Sequence, residues 1–231
     1  MKKKAIVLLS GGMDSATTMA MARSRGFELY ALSFDYGQKN HFEIKQAKKI
    51  ARHFGARKHL ILDVDIRKIG GSALTSSIPI PRKRSDKDRS RGIPLTYVPA
   101  RNTLFLSFAL AWGETLPAKD IFIGVNYLDS SGYPDCRPEY IRSFENMARL
   151  ATRMGTEGKQ RIRIHTPLIR MKKREIIKAG ARLGVDFSMT SSCYEPSSKG
   201  MACGFCDSCL LRLKGFREAG LKDPIQYIRQ K

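Results

Sequence analysis

Hydrophobic and polar positions along the chain alternate between two periods. Ala5–Leu9 is an unbroken apolar run, short enough for a strand buried on both faces. A helix is expected from about Asp14 to Arg25, stopped by Gly26, and Glu28–Phe34 reads as a second strand. His41–His53 carries Phe42, Ile44, Ala47, Ile50 and Ala51 at helical spacing, with Gly55 ending it, and Lys58–Val64 is a third strand. Residues 66–98 are rich in Ser, Pro and Arg and read as a long loop. The pattern then predicts an apolar helix at Arg101–Trp112, a strand at Ile121–Val125, a loop at Asn126–Pro138, a helix at Glu139–Met154, a strand at Arg161–His165 and a helix at Lys172–Leu183. After Ser191 the chain becomes a Cys-rich tail. Strands alternating with helices imply βαβ units, hence an α/β fold with a Rossmann-like parallel sheet and helices on both faces. The expected organisation is one α/β domain over 1–188, with a small cysteine-bearing segment over 189–231 packed on it. Ligands of such sheets bind at the carboxyl ends of the strands, which brings together the loops after Leu9, Phe34 and Val125.

Charge changes this picture little. The 42 Lys and Arg outnumber the 21 Asp and Glu, for a net +21, but the excess is spread along the whole chain. Only Arg82-Lys83-Arg84 with Lys87, Arg89 and Arg91 forms a tight basic cluster, readable as a lid, a disordered loop or an RNA contact. A diffuse excess reads first as a solvated basic surface and second as a nucleic-acid footprint. The apolar stretch Leu104–Trp112 is too short to span a bilayer, so no membrane partner is expected. The amino-terminal Lys-Lys-Lys followed by apolar residues imitates a secretion signal, but Ser-Gly-Gly stands where a cleavage site would be, and a cytoplasmic protein is expected.

Candidate chemistry sits first in Ser10-Gly11-Gly12-Met13-Asp14-Ser15, between the first strand and the first helix. Two glycines permit a tight turn that exposes backbone N–H groups, and the helix terminus beyond favours an anion. Ser10 and Ser15 add hydroxyl donors. Asp14 would repel a phosphate unless it binds Mg²⁺ or caps the helix. The segment is neither a Walker loop nor a dinucleotide fingerprint. Spacing alone leaves it equally readable as a glycine turn.

The second feature is Cys193-x9-Cys203-x2-Cys206-x2-Cys209. Four thiolates at such spacing satisfy tetrahedral Zn²⁺ with no open position, which argues for a structural ion; a redox Cys-x-x-Cys or an iron–sulfur cluster is the alternative. Cys136 stands apart, as an inert thiol or a nucleophile.

Ser-Gly-Gly-x-Asp-Ser after an amino-terminal strand resembles the pyrophosphate loop of the ATP pyrophosphatase (PP-loop) superfamily, whose members share the adenine nucleotide alpha hydrolase-like fold and form adenylates. Further stretches resemble one of its families, the 7-cyano-7-deazaguanine synthases. They are Phe34-Asp35-Tyr36-Gly37-Gln38, Val98-Pro99-Ala100-Arg101-Asn102-Thr103, Gly124-Val125-Asn126 with Asp129, Ser131-Gly132-Tyr133-Pro134-Asp135-Cys136-Arg137-Pro138, Thr166-Pro167-Leu168, Lys173 with Glu175-Ile176, Ser192-Cys193-Tyr194, and Cys206-Asp207-Ser208-Cys209 running into Lys214-Gly215-Phe216. The match runs in order through nearly the whole chain. The resemblance implies a ligase that converts 7-carboxy-7-deazaguanine and ammonia to 7-cyano-7-deazaguanine with Mg-ATP, through an adenylate and an amide, for queuosine or archaeosine precursors. It implies one structural Zn²⁺ on the four cysteines and a homodimer. It places ATP along Leu9, Ser10, Gly11, Gly12, Met13, Asp14, Ser15, Ala16, Thr17, Thr18 and Met19. Asp14, Ser15, Arg101 and Lys173 become the catalytic candidates, and Asp35, Tyr36, Gln38, Asn126, Asp129, Tyr133, Asp135 and Arg137 the substrate-binding ones. Each has a plainer reading: Asp35 and Tyr36 as a strand end, Asp135 as a cap on the following helix, Arg101 as a helix start. A tRNA-modifying adenylating enzyme, or a relative that attaches a deazaguanine elsewhere, is the functional alternative.

Overall fold

The computed structural model describes residues 2–85, 88, 92–128, 132–157 and 161–228. Five parallel strands form one sheet: β1 (Lys4–Leu8), β2 (Glu28–Asp35), β3 (Lys58–Asp63), β4 (Asp120–Phe122) and β5 (Arg163–His165), in the order β3-β2-β1-β4-β5. All five expected strands exist, and the sheet has the expected parallel sense. β4 is shorter than the run Ile121–Val125, because the backbone leaves the ladder after Phe122 while Ile123 and Val125 stay buried in the core.

The helices are α1 (Met13–Ser24), α2 (Phe42–His53), α3 (Arg101–Thr115), α4 (Pro138–Ala151), a single turn α5 (Arg153–Thr156), α6 (Lys173–Arg182) and α7 (Asp207–Ala219). The helix expected over Glu139–Met154 is broken at Thr152, whose extended backbone starts a new turn and whose side chain accepts a hydrogen bond from Gly155 N. Sequence reading missed α7 altogether. The cysteine spacing dominates that segment, and the buried face of α7 includes Cys209, Arg212 and Gly215 rather than a plain apolar stripe.

Strand alternation divides the core in two. Ala5, Val7 and Leu9 of β1 and its extension, with Leu29 and Ala31 of β2, pack against α1, α2, α6 and α7; Ile6 and Leu8, with Tyr30, Leu32 and Phe34, pack against α3 and α4. The buried cysteines Cys193, Cys203, Cys206 and Cys209 belong to the same apolar cluster as Ile6 and Leu32, so the cysteine lobe shares a core with the sheet. β1 pairs with β2 on one side and with β4 on the other, which makes its carboxyl end the point where the strand order reverses. No helix among the described residues is long and apolar enough to cross a membrane.

Candidate active site

A cavity of about 310 Å³ opens at that switch point. Its floor is Leu8, Leu9, Leu32, Phe34, Ile123, Gly124 and Val125, the carboxyl ends of β1 and β2 and the continuation of β4. One side is the glycine loop. Gly11 has φ +87°, and a Cβ there would overlap the carbonyl oxygen of Glu43 in the first turn of α2. The loop is therefore seated against α2 at a position only glycine can fill. Ser10 Oγ accepts from Gly12 N at 3.3 Å and donates to Ser15 Oγ at 3.1 Å, and Ser15 Oγ donates to Gly12 O at 3.0 Å. Ser191 N donates to Gly11 O at 2.9 Å, tying the cysteine lobe to the loop. Leu9, Ser10, Gly12, Met13, Asp14 and Ser15 line the cavity. Ala16 and Met19 instead lie in the core beneath α1. Thr17 and Thr18 are fully buried where α1 meets Gly180 and Gly124. Those two glycines are needed for that close approach.

Lys173, the first residue of α6, donates to Asp14 Oδ2 at 2.8 Å and to Oδ1 at 3.0 Å. Gly215 of α7 lies against the Lys173 stem, so any larger residue there would displace the ammonium. The pair puts a cation at the mouth of the glycine loop. It answers the question that the Asp14 carboxylate raised, since its charge is matched by a partner 159 residues away in sequence.

The opposite side of the cavity is aromatic and cationic. Phe34 and Phe105 stack at 3.9 Å, Tyr36 meets Phe105 edge-on, and the Arg101 guanidinium lies 5.8 Å from the Tyr36 ring centre while donating to Tyr36 Oη at 3.2 Å. Burial works against the charge on Arg101, but Tyr36, Tyr133 and Asp135 outweigh it and hold the group firmly protonated. Tyr133 reaches the cavity with its hydroxyl 2.9 Å from Thr96 Oγ1. Among these groups sits Glu43, which the sequence reading did not single out. Burial pushes its carboxyl up to about 8, against the opposing effects of Arg101 and a hydrogen bond from Asn40. As one acidic side chain in a lysine-rich amphipathic helix, Glu43 carries no signal that separates it from a solvent-facing residue.

Several expected substrate contacts are otherwise engaged. Asp135 is buried and accepts from Asn102 N at 3.0 Å in the first turn of α3, so it caps a preceding helix rather than the one that follows it. Burial raises its pKa, partly offset by that N–H bond. Gln38 braces its own turn, accepting from Tyr36 N at 2.8 Å and donating to Phe34 O at 3.4 Å. Asn126 borders the cavity, with its amide donating to Leu168 O and Met171 O at 3.1 and 2.6 Å. Asp35 ends β2 away from the cavity lining, and Arg137 is exposed ahead of α4. Asp129 and Ser131, and Lys87, Arg89 and Arg91 of the basic cluster, lie outside the described residues. Cys136 borders the cavity, but burial pushes its thiol up to about 12, which argues against a nucleophile at neutral pH.

The four remaining cysteines converge. Their Sγ atoms all lie within 4.8 Å of one another, with Cys203 and Cys209 at 3.9 Å. Four sulfurs about 2.3 Å from a tetrahedral ion stand about 3.8 Å apart, so the cluster has the right size. Cys203 N donates to Cys193 Sγ at 3.3 Å, and Phe205 N and Cys206 N donate to Cys203 Sγ at 3.4 Å, as metal-bound thiolates require. Gly204, at φ +81°, makes the turn that aims those N–H groups. The donor set fits one four-coordinate metal ion.

The chain as a whole is similar to known proteins. The family model for "Queuosine biosynthesis protein QueC" matches residues 4–220. The chain belongs to the QueC family. A 7-cyano-7-deazaguanine synthase of Geobacter metallireducens is 61% identical over 227 residues, 98% of this chain and 94% of that protein. The enzyme of the same name from Geobacter sulfurreducens is 59% identical, covering 99% and 94%. Among solved structures, an NMN synthetase from Francisella tularensis superposes with a TM-score of 0.51 at 15% identity, over 96% of this chain and 79% of that one. That likeness concerns the fold alone.

Proposed function

We propose that this protein is a 7-cyano-7-deazaguanine synthase, joining 7-carboxy-7-deazaguanine to ammonia at the expense of ATP. The observation that carries the reading is the shared cavity: a glycine loop with the Asp14–Lys173 pair on one side, and stacked aromatics with Arg101 on the other. The loop N–H groups, Ser10, Ser15 and Lys173 suit the phosphates of Mg-ATP. The flat apolar wall of Phe34, Phe105 and Tyr36 suits a purine-like base, and Arg101 suits its carboxylate. In this reading the carboxylate oxygen attacks the α-phosphorus and pyrophosphate leaves. Ammonia then displaces AMP to give the amide. The amide oxygen attacks the α-phosphorus of a second ATP and pyrophosphate leaves; loss of AMP with the two remaining N–H protons then gives the nitrile. Holding both reactants in one water-poor cavity supplies orientation and protects the adenylate from hydrolysis. The four cysteines would hold one Zn²⁺, which would brace the lobe whose Ser191 N–H donates to Gly11 O. The test is incubation of the purified protein with Mg-ATP, an ammonium salt and 7-carboxy-7-deazaguanine, followed by mass spectrometry. Nitrile with matching AMP is expected; AMP without nitrile, or no turnover at all, sinks the proposal.

A further inference from the structure

The basic cluster was the one sequence feature that the site had not absorbed, and its described part is anchored in an unexpected place. Residues 82–84 run against the cysteine lobe. Arg82 forms an isolated antiparallel bridge with Cys206, Lys83 N donates to Phe205 O at 2.9 Å, and Arg82 pairs with Glu195 at 2.9 Å. Lys83 has φ +53°, a left-handed backbone that is unfavourable for a non-glycine residue. That turn sends neighbouring side chains opposite ways: Arg82 goes outward to Glu195, and Arg84 goes inward, where it lines the cavity with its guanidinium 3.7 Å from Asp207. The Arg84 side chain is only 19% exposed. Backbone strain at a cavity wall, held by contacts on both sides, is a mark of a positioned functional group.

We infer that Arg84 is an anion-binding residue of the active site, delivered into the cavity by a strap that the metal-binding lobe clamps in place. The inference rests on the proposed function only in assuming that the cavity takes anionic reactants. The chemistry it recognises is an oxyanion, either a phosphoryl group of the nucleotide or the carboxylate of the base. A guanidinium suits both; Arg84 Nη2 donates to Asp88 O at 2.8 Å while Nε lies 3.7 Å from Asp207, and these two contacts hold the group at the wall.

The experiment compares wild type, Arg84→Gln and Arg84→Lys as metal-replete protein by calorimetric titration with three ligands: Mg-ATP, 7-carboxy-7-deazaguanine, and the uncharged nitrile 7-cyano-7-deazaguanine. In Arg84→Gln, affinity for one of the two anions falls at least about tenfold, the factor expected from losing a charge-assisted hydrogen bond, while the nitrile binds as in wild type. Which anion weakens identifies the oxyanion, and Arg84→Lys recovers part of that loss. Unchanged binding of both anions overturns the inference, as does an equal loss for the nitrile, which would mark Arg84 as a purely structural partner of Asp207. Wild type that binds none of the three ligands would instead refute the proposed function. In parallel, phenylglyoxal labelling of wild type, read by peptide mass spectrometry, requires no variant to fold: Arg84 is protected by at least one of the two anions, and absence of protection by both overturns the inference.

Discussion

Replacing Arg212 by Met tests how the cysteine lobe supports the glycine loop. Arg212 is fully buried, and its guanidinium makes two bonds to Asp223, at 2.8 and 2.9 Å. It also donates to Thr190 Oγ1 at 2.7 Å, Ser192 Oγ at 3.3 Å and Phe187 O at 3.1 Å. Methionine fills similar volume and satisfies none of these acceptors. The Asp223 carboxylate, itself 6% exposed, would keep only Ile225 N and Tyr227 Oη. Breaking one side of a buried ion pair costs about 3–5 kcal/mol, and for a chain of this size about 2–4 °C of Tm per kcal/mol follows, so a fall of roughly 6–20 °C is expected. Thr190 and Ser192 flank Ser191, whose N–H holds Gly11 O at 2.9 Å, so the KM for ATP should rise as well. The assays are thermal melting of metal-replete protein and steady-state AMP release. Loss of the pair should also make Arg212→Met and Asp223→Asn non-additive. A melting point within 2–3 °C of wild type, equivalent to about 1 kcal/mol, or additive effects of the two changes, would refute the reasoning.

Gly11→Ala puts a Cβ onto the Glu43 carbonyl and forces a non-glycine residue to φ +87°; the loop must move, and a shift of about 1 Å costs on the order of 100-fold in kcat/KM, measured as AMP release, with a smaller loss in Tm. Cys206→Ser removes one of four sulfurs clustered within 4.8 Å; metal content measured by plasma mass spectrometry should drop well below one ion per chain, with a lowered Tm. Burial lowers His59 to about 4, and its ring nitrogen sits 2.8 Å from Ser33 Oγ. The unfolded chain therefore takes up a proton between pH 6.5 and about 4 that the folded one refuses. His59 favours folding fully above pH 6.5 and loses that contribution as pH falls toward 4, by about 1–2 kcal/mol once its partial exposure is discounted. Urea melts of wild type and His59→Gln should converge on acidification; parallel pH dependence would contradict this.

Much of this arrangement was legible because each readable feature is local. The apolar run Ala5–Leu9, the glycines at 11 and 12 and the x2 cysteine spacing state their geometry within a few residues, and the structure shows a strand, a tight glycine turn and a thiol cluster there. What stayed hidden depends on partners far along the chain. Asp135 reads as a cap for the helix beginning three residues later, yet its acceptor role is toward Asn102 N, 33 residues earlier. Arg212 looks like one cation among 42, and only tertiary packing makes it a buried anchor. Glu43 and Arg84 reach the cavity from a surface-type helix and a surface-type loop.

Among the described residues, the two arginines that line the cavity share a device that ties these levels together. Arg84 follows Lys83 at φ +53°, and Arg101 follows Ala100 at φ +52°. In both places a non-glycine residue occupies left-handed backbone, each at about 1–2 kcal/mol. In both places the strained residue is pinned by its own backbone N–H: Lys83 to Phe205 O, and Ala100 to Tyr97 Oη at 2.9 Å. One pin belongs to the cysteine lobe and one to the segment leading into α3. Two separate contacts thus support the same outcome, a guanidinium at the cavity wall. If the site takes phosphates and a carboxylate, as proposed, it gains from having its cations fixed before those anions arrive, because less reorganisation is then left for the transition state.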